Sequence, residues 1–228
     1  MTATPLVACL MPTRGRLHLL PRAVRSYRAQ TYPNRVLVLV SNDPEEDTAI
    51  AAGYAGPDII THAAMPGKTI GYYRNITAQL AVAAGATIAI HFDDDDWSHP
   101  ERVESQVADL EASGRDCAGY RNGIFWLEDA GTAWQYYNGL LPFCMGNSLC
   151  YWLAVWKRSP FREINRGEDY EFLRQLDSIG YLREEPRLIN GIHAGNQMRY
   201  PVERNARISP MWRRAEEWDA MCKREMVL

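Results

Sequence analysis

Three short runs of apolar residues, Leu6–Met11, Arg35–Val40 and Thr87–Phe92, show no alternation of apolar and polar positions. A strand with one wet face alternates. Runs like these fit strands covered on both sides, as in a parallel sheet sandwiched between helices. Segments with helical spacing separate them. Leu17–Gln30 puts Leu17, Leu20, Val24 and Tyr27 on one face, and Thr69–Ala84 is alanine-rich and closed by Gly85. Glu45–Ala52 reads as a short helix, Asp58–Thr61 as a weak third strand, and Pro100–Glu111 as a helix with proline near its first turn. This alternation predicts a doubly wound α/β sheet.

The second half changes character. Ala118–Tyr137 carries Tyr120, Phe125, Trp126, Trp134, Tyr136 and Tyr137 between glycine-containing turns, and predicts a hairpin or mixed-sheet insertion. Asn147–Trp152 reads as a further strand, Gly167–Ile179 as a helix opening on acids, Leu182–His193 as extended, and Pro210–Glu225 as a terminal amphipathic helix. No repeat, low-complexity tract or linker divides the 228 residues, so one domain is expected.

Composition excludes several classes. At 46% hydrophobic and 23% charged residues, the chain is not disordered, collagenous or a coiled coil. A net charge of −3 gives no global attraction to nucleic acid. The stretch Leu80–Ile90 falls short of the roughly 20 residues a membrane span needs. Met1–Leu10 has no basic region of a signal peptide. The five cysteines make no CxxC pair and no zinc-type cluster, which predicts reduced thiols in a cytoplasmic protein.

Ligands of an open parallel sheet bind beyond the carboxyl ends of its strands. Thr13-Arg14 follows the first expected strand, Asn42-Asp43 the second, His62 the third and Asp93-Asp94-Asp95-Asp96 the fourth. Four adjacent carboxylates repel one another unless a cation neutralises them. Hard divalent cations take carboxylate and phosphate oxygens, so the run predicts an Mg²⁺ or Mn²⁺ site holding a diphosphate. Capping of the next helix by Asp96 or Ser98 would explain one acid but not four. Arg14, Lys68 and Arg74 are candidate phosphate partners. Asp43 could accept a hydrogen bond from a base or ribose, or serve as a turn residue before Pro44. Gly167-Glu168-Asp169 could supply a general base, and His193 a metal ligand.

At these residues the chain resembles the family 2 glycosyltransferases. Leu6–Asp43 looks like their opening nucleotide-binding unit, whose pattern includes PTyNR. Lys68–Asn75 (KTIGYYRN) resembles the segment that often ends in Ala-Arg-Asn. Phe92–Arg102 (FDDDDWSHPER) is similar to their lDDDDw..Pe.l motif, and Gly167–Leu173 (GEDYEFL) to gEDydf. The resemblance implies an α/β fold of the GT-A type: a Rossmann-like, mostly parallel central sheet with helices on both faces and a smaller mixed acceptor-side region. Residues 1–98 would form the half that binds nucleotide sugar and 99–228 the acceptor and catalytic half. The implied roles fall on Thr13, Arg14 and Asp43 for the nucleotide, and on Arg74 and, more loosely, Lys68 for the diphosphate. Asp93 would lie near the ribose, Asp94 within the donor site, and Asp95 on the metal, with Asp93 and His193 as further ligands. Asp169 matches the base of inverting members and Glu168 its neighbour.

Gly15 departs from the family pattern. The QxxRW motif of processive synthases is absent, which points to transfer of single sugars from a UDP- or GDP-sugar to an acceptor hydroxyl of unknown identity. Trp126, Trp134, Tyr136 and Tyr137 could wall the acceptor site or simply pack the sheet. The basic stretch 187–214, with Arg187, Arg199, Arg204, Arg207, Arg213 and Arg214, could meet a phosphate-bearing acceptor, nucleic acid included, or be an ordinary solvated face. Two other classes remain open on sequence: a sugar nucleotidyltransferase, although Pro12–Gly15 lacks a glycine-rich triphosphate loop, and a non-catalytic nucleotide- or metal-binding module.

Overall fold

The computed structural model describes residues 4–137, 143–182, 187–193 and 211–226. Its first half is the expected alternation: β1 (Val7–Thr13), α1 (Leu20–Arg28), β2 (Arg35–Ser41), α2 (Pro44–Tyr54), β3 (Ile59–Ala63), α3 (Ile70–Ala83) and β4 (Ile88–His91). β4, β1, β2 and β3 lie side by side and parallel. Burial on both faces explains their unbroken apolar sequence. Val7, Cys9 and Met11 of β1 pack towards α1, with Leu20, Val24 and Tyr27. The intervening Ala8 and Leu10 pack towards α3, with Tyr73, Ala78 and Ala81.

Three helices begin where side chains dictate. Pro21 stands in the first turn of α1. Asp43 caps α2, and Thr69 caps α3 by accepting from the Tyr72 amide. α1 starts three residues later than its apolar spacing predicts, because residues 14–19 form a loop instead. His62 lies inside β3, exposed, rather than beyond its end.

The second half completes this sheet and adds another. β5 (Trp97–Ser98) and α4 (Arg102–Ser113) follow the acidic run. Three short strands, β6 (Cys117–Gly119), β9 (Cys150–Trp152) and β10 (Ile179–Tyr181), extend the central sheet to seven strands in the order β10-β6-β9-β4-β1-β2-β3, with β9 antiparallel to both neighbours. β7 (Asn122–Leu127) and β8 (Thr132–Tyr137) form the expected hairpin. With β11 (Leu188–Ile192), β12 (Trp212–Arg214) and β5 they make a second sheet in the order β12-β8-β7-β11-β5. A short 3₁₀ turn at Gly146–Ser148 leads into β9, and α5 (Leu153–Arg158) and α6 (Glu168–Leu173) cover the α3 side.

Two long helices expected from sequence are shorter. The Gly167–Ile179 segment is helical only to Leu173, because Ile179 instead pairs with Cys117 as an edge strand. Within the segment expected as a helix over Pro210–Glu225, Trp212–Arg214 is instead β12, drawn into the second sheet where the Trp212 ring packs 4.8 Å from Tyr136 and 5.0 Å from Phe125. Helix resumes only at α7 (Asp219–Met226). No helix among the described residues is long and apolar enough to cross a membrane.

Arg102, fully buried, joins the two halves. Its Nη2 donates to the carbonyls of His91 and Asn147, both at 2.8 Å, its Nη1 to Ser98 Oγ at 2.8 Å and its Nε to Gln106 Oε1 at 2.9 Å. Neither Asp96 nor Ser98 caps α4, whose N-cap, Glu101, makes no side-chain capping bond. Arg102→Met takes this donor from the buried His91 carbonyl and the part-buried Asn147 carbonyl. It should lower stability in urea by about 2–4 kcal/mol, at roughly 1–3 kcal/mol per orphaned group; a loss under about 0.5 kcal/mol would contradict this reading.

Candidate donor and metal site

Strand β4 ends at His91, and its chain continues through Phe92 into the four aspartates at the carboxyl edge of the central sheet. Asp94, Asp95 and Asp96 are buried and Asp93 is partly so. Each acid has its own partners. Thr13 Oγ1, from the end of β1, donates to Asp94 Oδ2 at 2.6 Å. Arg16 Nη1, from the loop after β1, donates to Asp94 Oδ1 and Asp95 Oδ2, both at 2.8 Å. His193 Nε2 lies 3.5 Å from Asp95 Oδ2. Asp96 accepts from Asn147 Nδ2 at 2.5 Å and from the Gly191 amide at 3.0 Å. Asp93 Oδ1 is buried without a hydrogen bond, with Arg74 Nη1 at 3.6 Å.

Oxygens of Asp93, Asp95 and Asp96 lie within 4.8 Å of one another. An all-oxygen cluster with an orphaned buried carboxylate atom suits a hard divalent cation. Burial raises Asp93, lifts Asp94 to about 7 despite Arg16 and Thr13, and lifts Asp96 far above the usual carboxylate range. For Asp95, burial is outweighed by the His193 hydrogen bond and the Arg16 charge, so this carboxyl is held low and ionised.

A second group abuts the first. Arg74, buried on α3, donates through Nε to Glu168 Oε1 at 3.1 Å. His91 Nδ1 lies 3.0 Å from Arg74 Nη1 and 2.5 Å from the Gly146 carbonyl. Burial, reinforced by the Arg74 charge, keeps His91 neutral by pushing its pKa well down. Burial raises Glu168 despite the Arg74 partner. Asp169 is half-buried at the start of α6, accepts from the Tyr170 amide at 2.8 Å, and is close enough to Arg74 to interact with its charge. Its carboxylate lies flat against Gly146, where any Cβ would collide with it. One connected polar surface therefore runs from Thr13 through Asp93–Asp96 and Arg74 to Glu168 and Asp169.

Other expected site residues stand apart from this network. Arg14 is exposed, and its place against the acids is taken by Arg16. Arg16 sits at the arginine of the PTyNR pattern, a signal the sequence carried. Lys68 is exposed over the Tyr72 ring, 5.9 Å from its centroid. Asp43 Oδ1 is used in capping, accepting from the Glu45 amide at 3.1 Å, while Oδ2 faces Gly15. Asn147, Asn190, Gly146 and His91 had no sequence signal, because each matters only through contacts made across the fold.

Among the expected aromatic wall, Trp126 is core, packed with Ile189 and Cys222. Tyr136 joins Phe125 and Trp212, and Tyr137 stacks under Arg213. Of the basic stretch, Arg187 pairs with Glu101 and Arg214 with Asp219, while Arg199, Arg204 and Arg207 lie outside the described residues.

An open, mostly parallel sheet with an acidic, cation-compatible edge defines an α/β protein whose ligand site is expected at the carboxyl ends of its strands. Residues 8–167 match the family profile described as Glycosyl transferase family 2, and the chain belongs to that family. The match stops just before Glu168 and Asp169. No curated protein sequence matches the chain. Among solved structures, S. aureus TarS superposes with a TM-score of 0.64 at 13% identity, over 83% of this chain and 37% of TarS. The 1–349 piece of TarS in complex with UDP-GlcNAc gives 0.64 at 13% identity, over 90% of this chain and 64% of that one. Mannosyltransferase PcManGT from Pyrobaculum calidifontis, in complex with GDP-Man and Mn²⁺, gives 0.63 at 12% identity, over 99% of this chain and 70% of that one. This chain thus spans little more than a third of full TarS. At such identities the likeness establishes the fold, which is GT-A.

Two outcomes follow from the geometry. A carboxyl whose pKa is raised on folding stabilises the fold when protonated, and that contribution is lost as pH rises through the folded value. Between pH 7.5 and 8.5, His91 is neutral in the folded protein and almost wholly neutral unfolded, so the ion-free protein should lose thermal stability as Asp96 and the last of Asp94 ionise. Mn²⁺ at pH 8 should restore it; a Tm flat across this range and indifferent to Mn²⁺ would refute the assignment. Separately, Gly146→Ala forces the Asp169 carboxylate aside. It should cut donor turnover at least about tenfold, since small misplacements of reacting groups are costly, with Mn²⁺ affinity unchanged.

Proposed function

We propose that this chain is a metal-dependent, inverting glycosyltransferase that moves one sugar from a UDP- or GDP-sugar to an acceptor hydroxyl. The observation that carries the reading is the adjacency of two groups: the Asp93, Asp95 and Asp96 oxygens gathered at the edge of the sheet, and Asp169 next to Arg74, which reaches both Asp93 and Glu168.

Thr13 and the free side of Asp43 would face the nucleoside, and Arg14 and Lys68 are exposed where a phosphate could recruit them. Asp93 and Asp95, with Asp96 and His193 beside them, would hold Mn²⁺ or Mg²⁺, which when bound neutralises the charge of the departing diphosphate. Arg74 adds fixed positive charge that needs no reorganisation during reaction. Asp169 takes the proton of the acceptor hydroxyl as its oxygen attacks the anomeric carbon from the face opposite the diphosphate. The bond from that carbon to the phosphate oxygen breaks, and configuration inverts. Glu168, tied to Arg74, fixes the start of α6 and so the position of the base.

Complexes of TarS with UDP-GlcNAc and of PcManGT with GDP-Man and Mn²⁺ support this donor class. Five buried, unpaired thiols support a reducing, cytoplasmic setting. The Arg187–Glu101 and Arg214–Asp219 pairs spend part of the basic stretch internally, which favours a saccharide or lipid-linked sugar acceptor over nucleic acid.

The test is release of UDP or GDP from a panel of sugar nucleotides with Mn²⁺, water serving as the default acceptor. Asp169→Asn should keep donor binding and lower turnover about 100-fold or more, the scale of a lost general base. Wild-type turnover in Asp169→Asn would refute the base. Donor binding without turnover in the wild type would instead favour a non-catalytic module.

A further inference from the structure

Arg16 occupies the acidic run in a way that the reaction must undo. A single nitrogen, Nη1, lies 2.8 Å from both Asp94 Oδ1 and Asp95 Oδ2. Asp95 Oδ2 is also the oxygen nearest His193, and Asp95 belongs to the trio whose oxygens converge. A guanidinium and a divalent cation repel at close range, whichever Asp95 oxygen the cation takes. Asp94, by contrast, is outside the trio and keeps its Thr13 bond whatever Arg16 does.

The local structure permits the exchange without refolding. The Arg16 side chain is 22% exposed. Its backbone is pinned, because Glu46 accepts from the Arg16 amide at 3.2 Å and from the Leu17 amide at 3.0 Å. Only the side chain need rotate. Arg74 has no such freedom, being buried and tied to Glu168.

We infer that Arg16 is the resident counter-ion of the acidic run: it leaves Asp95 when the divalent cation arrives and turns to the donor's diphosphate, so that cation and nucleotide bind cooperatively. A planar guanidinium suits that second role, since it grips phosphate oxygens through two parallel N–H bonds. This inference rests on the metal-dependent donor reading above and assigns the residue that times cation and donor entry.

Direct binding of Mn²⁺ alone, followed by calorimetry or electron paramagnetic resonance at pH 7.5, tests it without turnover. Arg16→Met should bind Mn²⁺ about tenfold more tightly than the wild type, the change expected when one neighbouring unit charge is removed from a partly wet site. Arg16→Lys keeps the charge and guards against a folding defect; it should bind Mn²⁺ like the wild type, within about threefold. Arg25→Met makes the same charge change on the exposed face of α1 and should leave Mn²⁺ affinity unchanged. UDP or GDP should then tighten Mn²⁺ binding in the wild type and do so several-fold less in Arg16→Met. Unchanged or weaker Mn²⁺ binding in Arg16→Met, an equal gain in Arg25→Met, or an equal nucleotide gain in wild type and Arg16→Met would each overturn the inference while leaving the metal site standing. Failure of every protein to bind Mn²⁺ would overturn both the inference and the metal-dependent reading.

Discussion

Four consecutive carboxylates drawn into the edge of a sheet set the terms for everything around them. Burial penalises each charge and neighbouring acids penalise one another, so the fold must supply compensation at short range. It does so unevenly. Arg16 and His193 hold Asp95 ionised, whereas Asp96 and Asp94 are pushed towards the protonated form. A group of acids left under-compensated in this way is a poor structural element and a good cation site. Its cost is tolerable only because the strands beneath it, β1 and β4, are packed on both faces.

Buried arginines carry that compensation into the rest of the molecule. Arg74 joins the acidic run to the Glu168-Asp169 helix. Arg102 joins the end of β4 to the turn before β9. Arg22, on α1, donates to the Asp95 carbonyl at 2.8 Å, to Glu128 at 3.0 Å and to the Met226 carbonyl at the end of α7. The acidic edge, the second sheet and the terminal helix are thus tied by guanidinium groups, which can satisfy several acceptors at once in a fixed plane. Placement of the Glu168-Asp169 pair relative to the acidic cluster then depends on a few buried bonds rather than on a loop.

Much of this was legible in the chain. Continuous apolar runs gave away β1, β2 and β4, and the acids and threonine at their ends marked the edge where the polar side chains gather. The resemblance in FDDDDWSHPER and GEDYEFL named the residues that meet there. The shortfalls have physical causes. Residues 174–179 and 211–218 fall in stretches with helical spacing, but strand pairing at Cys117 and aromatic packing at Trp212 outweigh local propensity. Arg14 and Arg16 are equivalent as composition; only the turn at Gly15, with φ of 61°, and the Glu46 anchor decide which one reaches the acids.

The sequence by itself determined the parallel sheet, its two covered faces and the chemistry of its carboxyl edge, because burial and charge are written in residue type and spacing. Tertiary structure alone decided the partner of each charge. Asp96 meets Asn147 and Gly191, Arg74 meets Glu168, and Asp169 meets Gly146, across separations of 51, 95, 94 and 23 residues respectively. Such pairings have no period and no local signature, since each depends on where two distant elements cross.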